Sequence, residues 1–509
     1  MKKFFSFIIF LTIGLTLMGQ TYDINLNAKM VRTNGWGKDT YVNIKQFKHS
    51  FEEDEYGAIS ECFYLIDSAN NRLDVNSKFS DCFEFEYKNI QDLWDACVIT
   101  NVLNTLKKKG YQYNLRSEME LDALDYISNV KSYGLELNDP YLQMYIYSLV
   151  AKIAPKYLID GRFPSINVLI QENPSINACC FPNGTIVLNT GLLAVLHSED
   201  ELVAILAHEI SHYVLDHAVQ NINAAIAREN RAQLWAALAT GITAAAEGYI
   251  ASQNDYYVPG SATLGMAVLS STIASQAAKN LGMEYNHQQE YEADKFAKKV
   301  LVFLGYNENA LATVLSRLEN EYVKDRNNAM YISSYTHPAL TERVKKAGTP
   351  IDMKDKEFEQ IISFAVSNVA IMEYSNYRFY RCLPYVNQNI ENGVATADDY
   401  IIKANCLLSI KDDKQSNEEV FSLINEAKTI DESNINIYKT EIISTLRSND
   451  IIKAIELLNK YIGILNTYTL EDIRSERTWE SLNNFIIKEK DWAEKMVVKL
   501  RGMNRANIE

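Results

Sequence analysis

The chain has 509 residues, 47% hydrophobic and 23% charged, which is ordinary for a globular protein and enough for about three domains. Its formal net charge of −15 argues against nucleic acid or an anionic membrane surface as a partner. Met1-Lys2-Lys3 and the uncharged run from Phe4 to Met18 are typical of a secretory signal peptide, which we place at residues 1–20. We therefore expect an exported protein, periplasmic or otherwise in the cell envelope; the alternative is an uncleaved anchor.

Residues 21–115 are predicted to form a small α+β domain. The segments from Tyr41 to Gln46 and from Ala58 to Ile66 are rich in β-branched and aromatic residues, a pattern typical of strands. The segment from Trp94 to Leu106 has apolar residues at helical spacing, followed by three lysines and Gly110, which suit a helix C-terminus. No chemical motif occurs here, so the role of this domain is not predicted.

The seven cysteines include no C-x-x-C pair, so no thiolate zinc site is expected. An odd and sparse set in a chain this long predicts mostly buried free thiols, with at most one bridge.

A helix and a hairpin are predicted ahead of the first chemical motif. Asp139 and Pro140 suit the start of a helix that stops at Pro155. Asn183-Gly184 between two apolar runs predicts a β-hairpin. The sequence from Ser198 to Glu201 is a capping box that opens a buried helix.

That helix carries the sequence His208-Glu209-Ile210-Ser211-His212, the H-E-x-x-H pattern. Two histidines at this spacing leave one helix face about one turn apart, where both can bind a Zn²⁺ ion. Glu209 lies between them and is the predicted general base for an attacking water. The alternative is a buried helix whose histidines bind local carbonyl groups.

The third metal ligand is predicted to be Glu290. Leu215 and Ala218 occupy the positions where a metzincin needs Gly and His, which excludes that class. Glu290 and Asp294 share an otherwise apolar helix face, and buried carboxylates need a cation or a donor. We expect Glu290 on the metal and Asp294 holding a ligand imidazole.

Five motifs together resemble metallopeptidase family 48, the family of CAAX prenyl proteases and HtpX-like quality-control peptidases. They are Asn177–Leu193 with its hairpin, Ser198–Leu202, Ala207–His212, Glu290–Asp294, and Thr336–Pro338 with Arg343. The resemblance covers about residues 138–348. It implies a gluzincin core with two histidines and one glutamate on one zinc ion per chain, and a hairpin strand that pairs with substrate backbone.

His337 and Arg343, from the last of these motifs, are predicted to stabilise the developing oxyanion. For His337 two alternatives stay open: it starts a helix before Pro338, or it binds zinc in the resting enzyme as a latch. The layout resembles the periplasmic branch of the family, so a prenylated substrate is not expected.

The two apolar stretches from Leu234 to Ala246 and from Tyr256 to Ala278 are read as a helical hairpin over the core, with a transmembrane hairpin as the alternative. We therefore expect that the chain is not an integral membrane protein.

Residues 116–350 are assigned to the peptidase domain and residues 351–509 to a helical domain. In that last domain the segments at Leu423 and Leu457 resemble each other at a 34-residue offset, which predicts tetratricopeptide-like repeats; an unrelated helical bundle is the alternative.

The expected fold is thus α+β and mostly helical. The predicted function is a zinc-dependent endopeptidase acting on exported, misfolded or unassembled polypeptides. A competing prediction is an envelope chaperone or assembly factor, with a latent peptidase site and a C-terminal helical domain that binds a protein partner.

Overall fold

The computed structural model describes residues 20–30, 40–53, 59–74, 83–102, 113–159, 162, 164–226, 281, 283–324, 340–411, 413–467 and 476–506. The predicted signal peptide, the apolar stretches at 234–246 and 256–278, and His337 lie outside these residues, apart from Gln20. Within the described residues, no helix combines the length and apolar character required to cross a membrane.

An antiparallel sheet forms the N-terminal part of the chain. Its strands are β1 (Gln20–Met30), β2 (Thr40–Glu53), β3 (Ile59–Asp67), β4 (Arg72–Asp74) and β5 (Phe83–Glu86), in the spatial order β4-β3-β2-β1-β5. In β1, the alternate residues Ile24, Leu26 and Ala28 are buried, as expected when one face of a sheet covers the core. The two predicted strands are confirmed as parts of β2 and β3, whereas β1, β4 and β5 have no counterpart in the sequence prediction.

Helix α1 (Ile90–Cys97) begins four residues before the predicted start at Trp94. The side chain of Asn89 accepts a hydrogen bond from Asp92 N and that of Asp92 accepts one from Asn89 N, which fixes the earlier start. The helix continues in wide π-helical turns over Val98–Val102, and residues 103–110 lie outside the described part. Trp94 is fully buried and its indole N–H donates to Ile153 O at 2.7 Å, which joins this helix to the next part of the chain.

A second, three-stranded sheet follows helices α2 (Tyr113–Ser132) and α3 (Pro140–Ile153). Strand β8 (Thr185–Asn189) is central, parallel to β6 (Asn167–Gln171) and antiparallel to β7 (Ala178–Cys180). The predicted hairpin is confirmed as β7 and β8, and β7 lies at the edge of the sheet.

Two glycines make the turns around β8 possible. Gly184 has a φ of +84° in the hairpin turn and donates from its N–H to Phe181 O at 2.8 Å. A Cβ atom at Gly191, just after β8, would collide with the carbonyl oxygen of Pro174. Glycine is therefore required at Gly184 by the left-handed backbone of the turn before β8, and at Gly191 by the close approach of another backbone segment after β8.

The core helices are α4 (Thr190–Leu193), α5 (Glu199–Val214), α6 (His217–Ile226), α7 (His287–Leu304), α8 (Ala310–Lys324) and α9 (Leu340–Ala347). Helix α5 packs against α7 and is buried from Glu201 to Val214. Its apolar residues and those of α7 share one hydrophobic core with the N-terminal sheet and α3. Because α5 is enclosed, every polar side chain that it carries toward α7 needs a partner.

The C-terminal part of the described chain is helical. Its helices are α10 (Lys356–Ile361), α11 (Ser363–Ser375), α12 (Phe379–Asn392), α13 (Ala397–Ile410), α14 (Lys414–Ile430), α15 (Ile435–Arg447), α16 (Ile451–Leu465) and α17 (Glu476–Ala506). Helix α13 packs on α14 and α15 packs on α16. The similar segments at Leu423 and Leu457 fall in α14 and α16, the second helices of these two pairs. The mostly helical α+β fold is confirmed, and the tetratricopeptide-like repeat stays a prediction.

Six of the seven cysteines belong to the described residues and all six are free thiols; Cys82 lies outside them. The expectation of mostly free thiols is therefore confirmed for the described part.

Candidate metal centre

Helix α5 places His208 and His212 one turn apart. The helix starts at Ser198, whose side chain accepts a hydrogen bond from Glu201 N at 3.3 Å. The Glu201 carboxylate accepts a hydrogen bond from His197 N at 2.6 Å. In the predicted capping box this bond would come from Ser198 N, one residue later. At the other end, Arg162 donates to Tyr213 O at 2.7 Å and to Val214 O, satisfying carbonyl groups that the helix leaves unpaired.

Helix α7 brings two carboxylates to the same place. Asn286 and Gln289 form a capping box at its N-terminus, which puts Glu290 in the first turn, where the helix dipole favours a negative charge. Glu290 is fully buried and Asp294, one turn later, is almost so. The side chains of this face of α7 therefore point into the space beside α5.

Three side chains meet there: His208, His212 and Glu290. The two Nε2 atoms of the histidines lie 3.0 Å apart, and they lie 3.6 Å and 3.5 Å from the carboxylate oxygens of Glu290. All three residues are buried, and their ligand atoms lie within 4.8 Å of one another. Two imidazoles and a carboxylate converging at these distances, away from water, form a donor set that can hold a metal ion.

Asp294 lies beside the far side of the His208 ring. Its Oδ1 is 3.0 Å from His208 Nδ1, so the carboxylate favours a proton on Nδ1 and leaves the Nε2 lone pair facing Glu290. Burial would raise the pKa of Asp294, but the positive charge of Arg343 and its hydrogen bonds hold that pKa below its usual value. Asp294 is thus a buried anion in contact with both a cation and an imidazole.

Arg343 is buried at the centre of this arrangement. Its Nε and Nη2 atoms donate to the two carboxylate oxygens of Asp294, each at 2.8 Å, and Nη1 contacts Glu290. Its Nη2 is also 3.5 Å from His208 Nε2. The neighbouring carboxylates raise the pKa of Arg343 although burial opposes this, so it stays a cation. Arg343 therefore lies within the predicted site, whereas His337 lies outside the described residues.

A second chain of contacts reaches His212 through His217, which the sequence analysis did not identify. The Nδ1 atoms of His212 and His217 are 2.8 Å apart, and His217 Nε2 is 3.3 Å from Glu292 Oε2. Burial lowers the pKa of both histidines, so both are neutral. A neutral His217 donates from Nε2 to Glu292 and accepts at Nδ1 from His212, which leaves the His212 Nε2 lone pair directed at Glu290.

The sequence did not predict the contact between His212 and His217, because residues five positions apart do not share a face of one helix. Helix α5 ends at Val214, and Asp216 takes a left-handed φ of +61° before α6 begins. This break turns His217 back toward His212. The side chain of Glu292, the other partner of His217, is 34% exposed.

Glu209 is buried between the predicted ligands and strand β7. Burial raises the pKa values of Cys179 and Cys180 in that strand, and the Glu209 carboxylate raises them further. Glu209 therefore lies close enough to act on both thiols. Helix α5 packs on β7, the edge strand of the hairpin. The candidate base, the donor set and a sheet edge thus occupy one region of the chain.

Comparison with known proteins agrees with this geometry. The model of peptidase family M48 matches residues 138–351, the segment that contains the donor set. Relatives include the beta-barrel assembly-enhancing protease of Escherichia coli (strain K12), 28% identical over 41% of this chain, and the mitochondrial metalloendopeptidase OMA1 of Arabidopsis thaliana, 27% identical over 36%. A protease HtpX homolog of Streptococcus agalactiae is 25% identical over 36% of this chain.

These matches span 39%, 30% and 68% of the relatives' own lengths, respectively. The segment that matches the family model carries the histidines and carboxylates described above. The chain therefore contains a segment, residues 138–351, that matches peptidase family M48.

Proposed function

We propose that the chain is a zinc-dependent endopeptidase in which His208, His212 and Glu290 hold one zinc ion and Glu209 is the general base. The observation that carries this proposal is the convergence of buried ligand atoms: the two Nε2 atoms lie 3.0 Å apart, His208 Nε2 lies 3.6 Å from Glu290 Oε2, and His212 Nε2 lies 3.5 Å from Glu290 Oε1. Zinc bonds of about 2.0–2.1 Å in a tetrahedral site put ligand atoms about 3.3 Å apart. The donor set therefore fits zinc in size as well as in chemistry.

The buried charges support a divalent cation at this position. Three buried carboxyl groups, those of Glu209, Glu290 and Asp294, lie around the guanidinium of Arg343, so acidic groups exceed cationic groups among the described residues there. Buried charge without compensation is costly, and a divalent ion would neutralise this excess. Structural zinc sites mostly use cysteine and four protein ligands, whereas this set has three, which favours a catalytic site.

In the proposed mechanism a bound zinc ion would polarise the scissile carbonyl and make an attacking water more acidic. Glu209 takes the proton of that water and delivers it to the leaving amine, so that one carboxylate serves as base and then as acid. Asp294 and His217 fix the protons of His208 and His212 on Nδ1. Each Nε2 atom is thereby kept as a lone-pair donor.

Arg343 has a positioning role in this proposal. It holds both oxygens of Asp294 and contacts Glu290, so it fixes the two carboxylates relative to each other. Of the two residues that the sequence predicts to be transition-state donors, His337 and Arg343, we keep that role for His337.

The proposed substrates are exported polypeptides that are misfolded or unassembled. Three features support this: the N-terminal signal-peptide pattern, the name of the E. coli relative as a beta-barrel assembly-enhancing protease, and an edge strand next to the candidate base. A substrate strand added beside β7 would be held through main-chain hydrogen bonds, which depend little on side chains. We therefore expect broad sequence specificity.

Digestion of unfolded casein tests the proposed function. The zinc-loaded chain should cleave casein, and a chelator should stop the cleavage. Glu209→Gln should keep the fold and the zinc but lose turnover, because only the base is removed. Casein cleavage by Glu209→Gln would refute the mechanism, and a zinc-loaded wild-type chain without activity would favour the chaperone or assembly-factor alternative.

A further inference from the structure

A cavity of about 550 Å³ lies next to the metal centre, on the neighbouring face of α7. It is a half-open cavity lined by α7, by the end of α9, and by Tyr87 from the segment that leaves the N-terminal sheet. Much of its wall is apolar, from Tyr87, Phe303 and Ala347, and Val302 on the same wall is 57% exposed to solvent. The volume falls within the range of about 300–1,000 Å³ typical of ligand pockets.

Four lysines surround this cavity: Lys295, Lys298, Lys299 and Lys346. Lys298 donates to Ala347 O at 2.9 Å and Lys299 donates to the Tyr87 hydroxyl at 3.1 Å. The ammonium group of Lys346 lies 3.2 Å from the centre of the Tyr291 ring. Among the described residues, no carboxylate lies within 4.0 Å of any of these four ammonium groups.

Asp294 alone is acidic among the described residues that line the cavity, and Arg343 already binds both of its oxygens. Lys295 and Lys346 also lower the pKa values of the nearby carboxylates Glu292 and Glu342, neither of which lines the cavity, so the lining itself has four lysines and one acid in a chain whose net charge is −15. Like charges three and four positions apart on a helix repel each other. This arrangement suits an anionic group attached to an apolar body.

We propose that this lysine pocket binds the C-terminal residues of a polypeptide. The α-carboxylate would accept charge-assisted hydrogen bonds from the lysines, and apolar terminal side chains would pack on Tyr87 and Phe303. The choice of a polypeptide rests on the proposed peptidase function. Because Asp294 both lines the pocket and lies 3.0 Å from His208 Nδ1, a chain end held here would be retained beside the metal centre.

Binding can be measured without cleavage by using the full chain with Glu209→Gln. The probe is a fluorescein-labelled hexapeptide that ends in Leu-Phe, made once with a free carboxylate and once with a C-terminal amide. Fluorescence anisotropy should show binding of the acid, and the amide should bind about tenfold or more weakly, since it lacks the anion. Affinity for the acid should fall as salt is raised, because screening weakens contacts between partly exposed charges.

Two variants test the location of the bound peptide. The pair Lys295→Gln and Lys346→Gln, in one chain, removes two charges from the pocket, and Val302→Glu introduces an anion into its wall. Both should weaken binding of the acid about tenfold or more, with unchanged thermal unfolding. Lys345→Gln is the matched control, because Lys345 is exposed on α9 but does not line the pocket, and it should bind as the parent does.

Equal affinity for acid and amide, or no effect of the pocket variants, would overturn the proposal and leave the lysines as a solvated surface. Binding of dodecanoate at the pocket without binding of the peptide would also overturn it, by assigning the pocket to a lipid carboxylate. Because all binding is measured in a chain that cannot cleave, failure of this proposal is distinguishable from failure of the proposed proteolysis.

Discussion

Replacing His217 by alanine should weaken zinc binding although His217 is not a proposed ligand. The substitution removes the acceptor that lies 2.8 Å from His212 Nδ1. The His212 ring is then free to move its proton to Nε2, the atom that the metal needs as a lone-pair donor. The substitution therefore lowers the affinity for the metal, because His212 is no longer fixed in the orientation and tautomer that a ligand needs.

The size of the effect follows from the contacts of His217. Loss of an outer partner of a ligand imidazole costs about 10–100-fold in metal affinity, or about 1.4–2.7 kcal/mol. We expect His217→Ala near the upper end, because the contact is short and His217 is 1% exposed. Glu292→Gln should cost less, about tenfold or below, because its contact is 3.3 Å long and its side chain is 34% exposed.

The assay is equilibrium competition for zinc against a chromophoric chelator, with circular dichroism as a check on folding. His287→Ala is the matched control, since His287 is exposed at the start of α7, and it should keep the parent affinity. All of these variants keep Tyr285, whose ring stacks on that of His212 with centroids 3.7 Å apart. Parent-like zinc affinity in a folded His217→Ala chain would refute the reasoning.

Three further predictions concern the ligands, the pH dependence of stability, and His337. Glu290→Ala should abolish stoichiometric zinc binding in a metal assay, whereas Asp294→Asn should weaken it only about 10–100-fold, and full retention by Glu290→Ala would move the ligand assignment to another carboxylate. Burial raises the pKa of Asp95 from 3.8 to about 7. Between these two values the Asp95 carboxyl keeps its proton in the folded chain and loses it in the unfolded chain. Stability should therefore fall by up to about 1.4 kcal/mol per pH unit as the pH rises from 4 to 7, and Asp95→Asn should remove this fall in chemical denaturation; an unchanged slope would contradict it. His337→Ala should lower casein cleavage by about 10²–10³-fold if His337 is a transition-state donor, while a rise in basal cleavage with zinc retained would identify the latch.

The sequence by itself determined those parts of the site that depend on local helix geometry. Four residues make about one helical turn, so His208 and His212, and likewise Glu290 and Asp294, had to share faces as soon as their segments were helical. The Asn183-Gly184 turn and the start of α3 at Asp139 were readable for the same reason, since caps and turns use neighbouring residues. Each of these predictions agrees with the described structure.

Only the tertiary structure decided which separate elements meet. The parallel pairing of β6 with β8 makes β8 central and leaves β7 at the edge, an order that no local pattern encodes. The place of His217 depends on the backbone reversal at Asp216, and that of Arg343 on the packing of α9 against α7. The contacts of Arg343 with Asp294 and His208 join residues 49 and 135 positions apart. Their geometry depends on how whole helices pack, and spacing along the chain does not specify it.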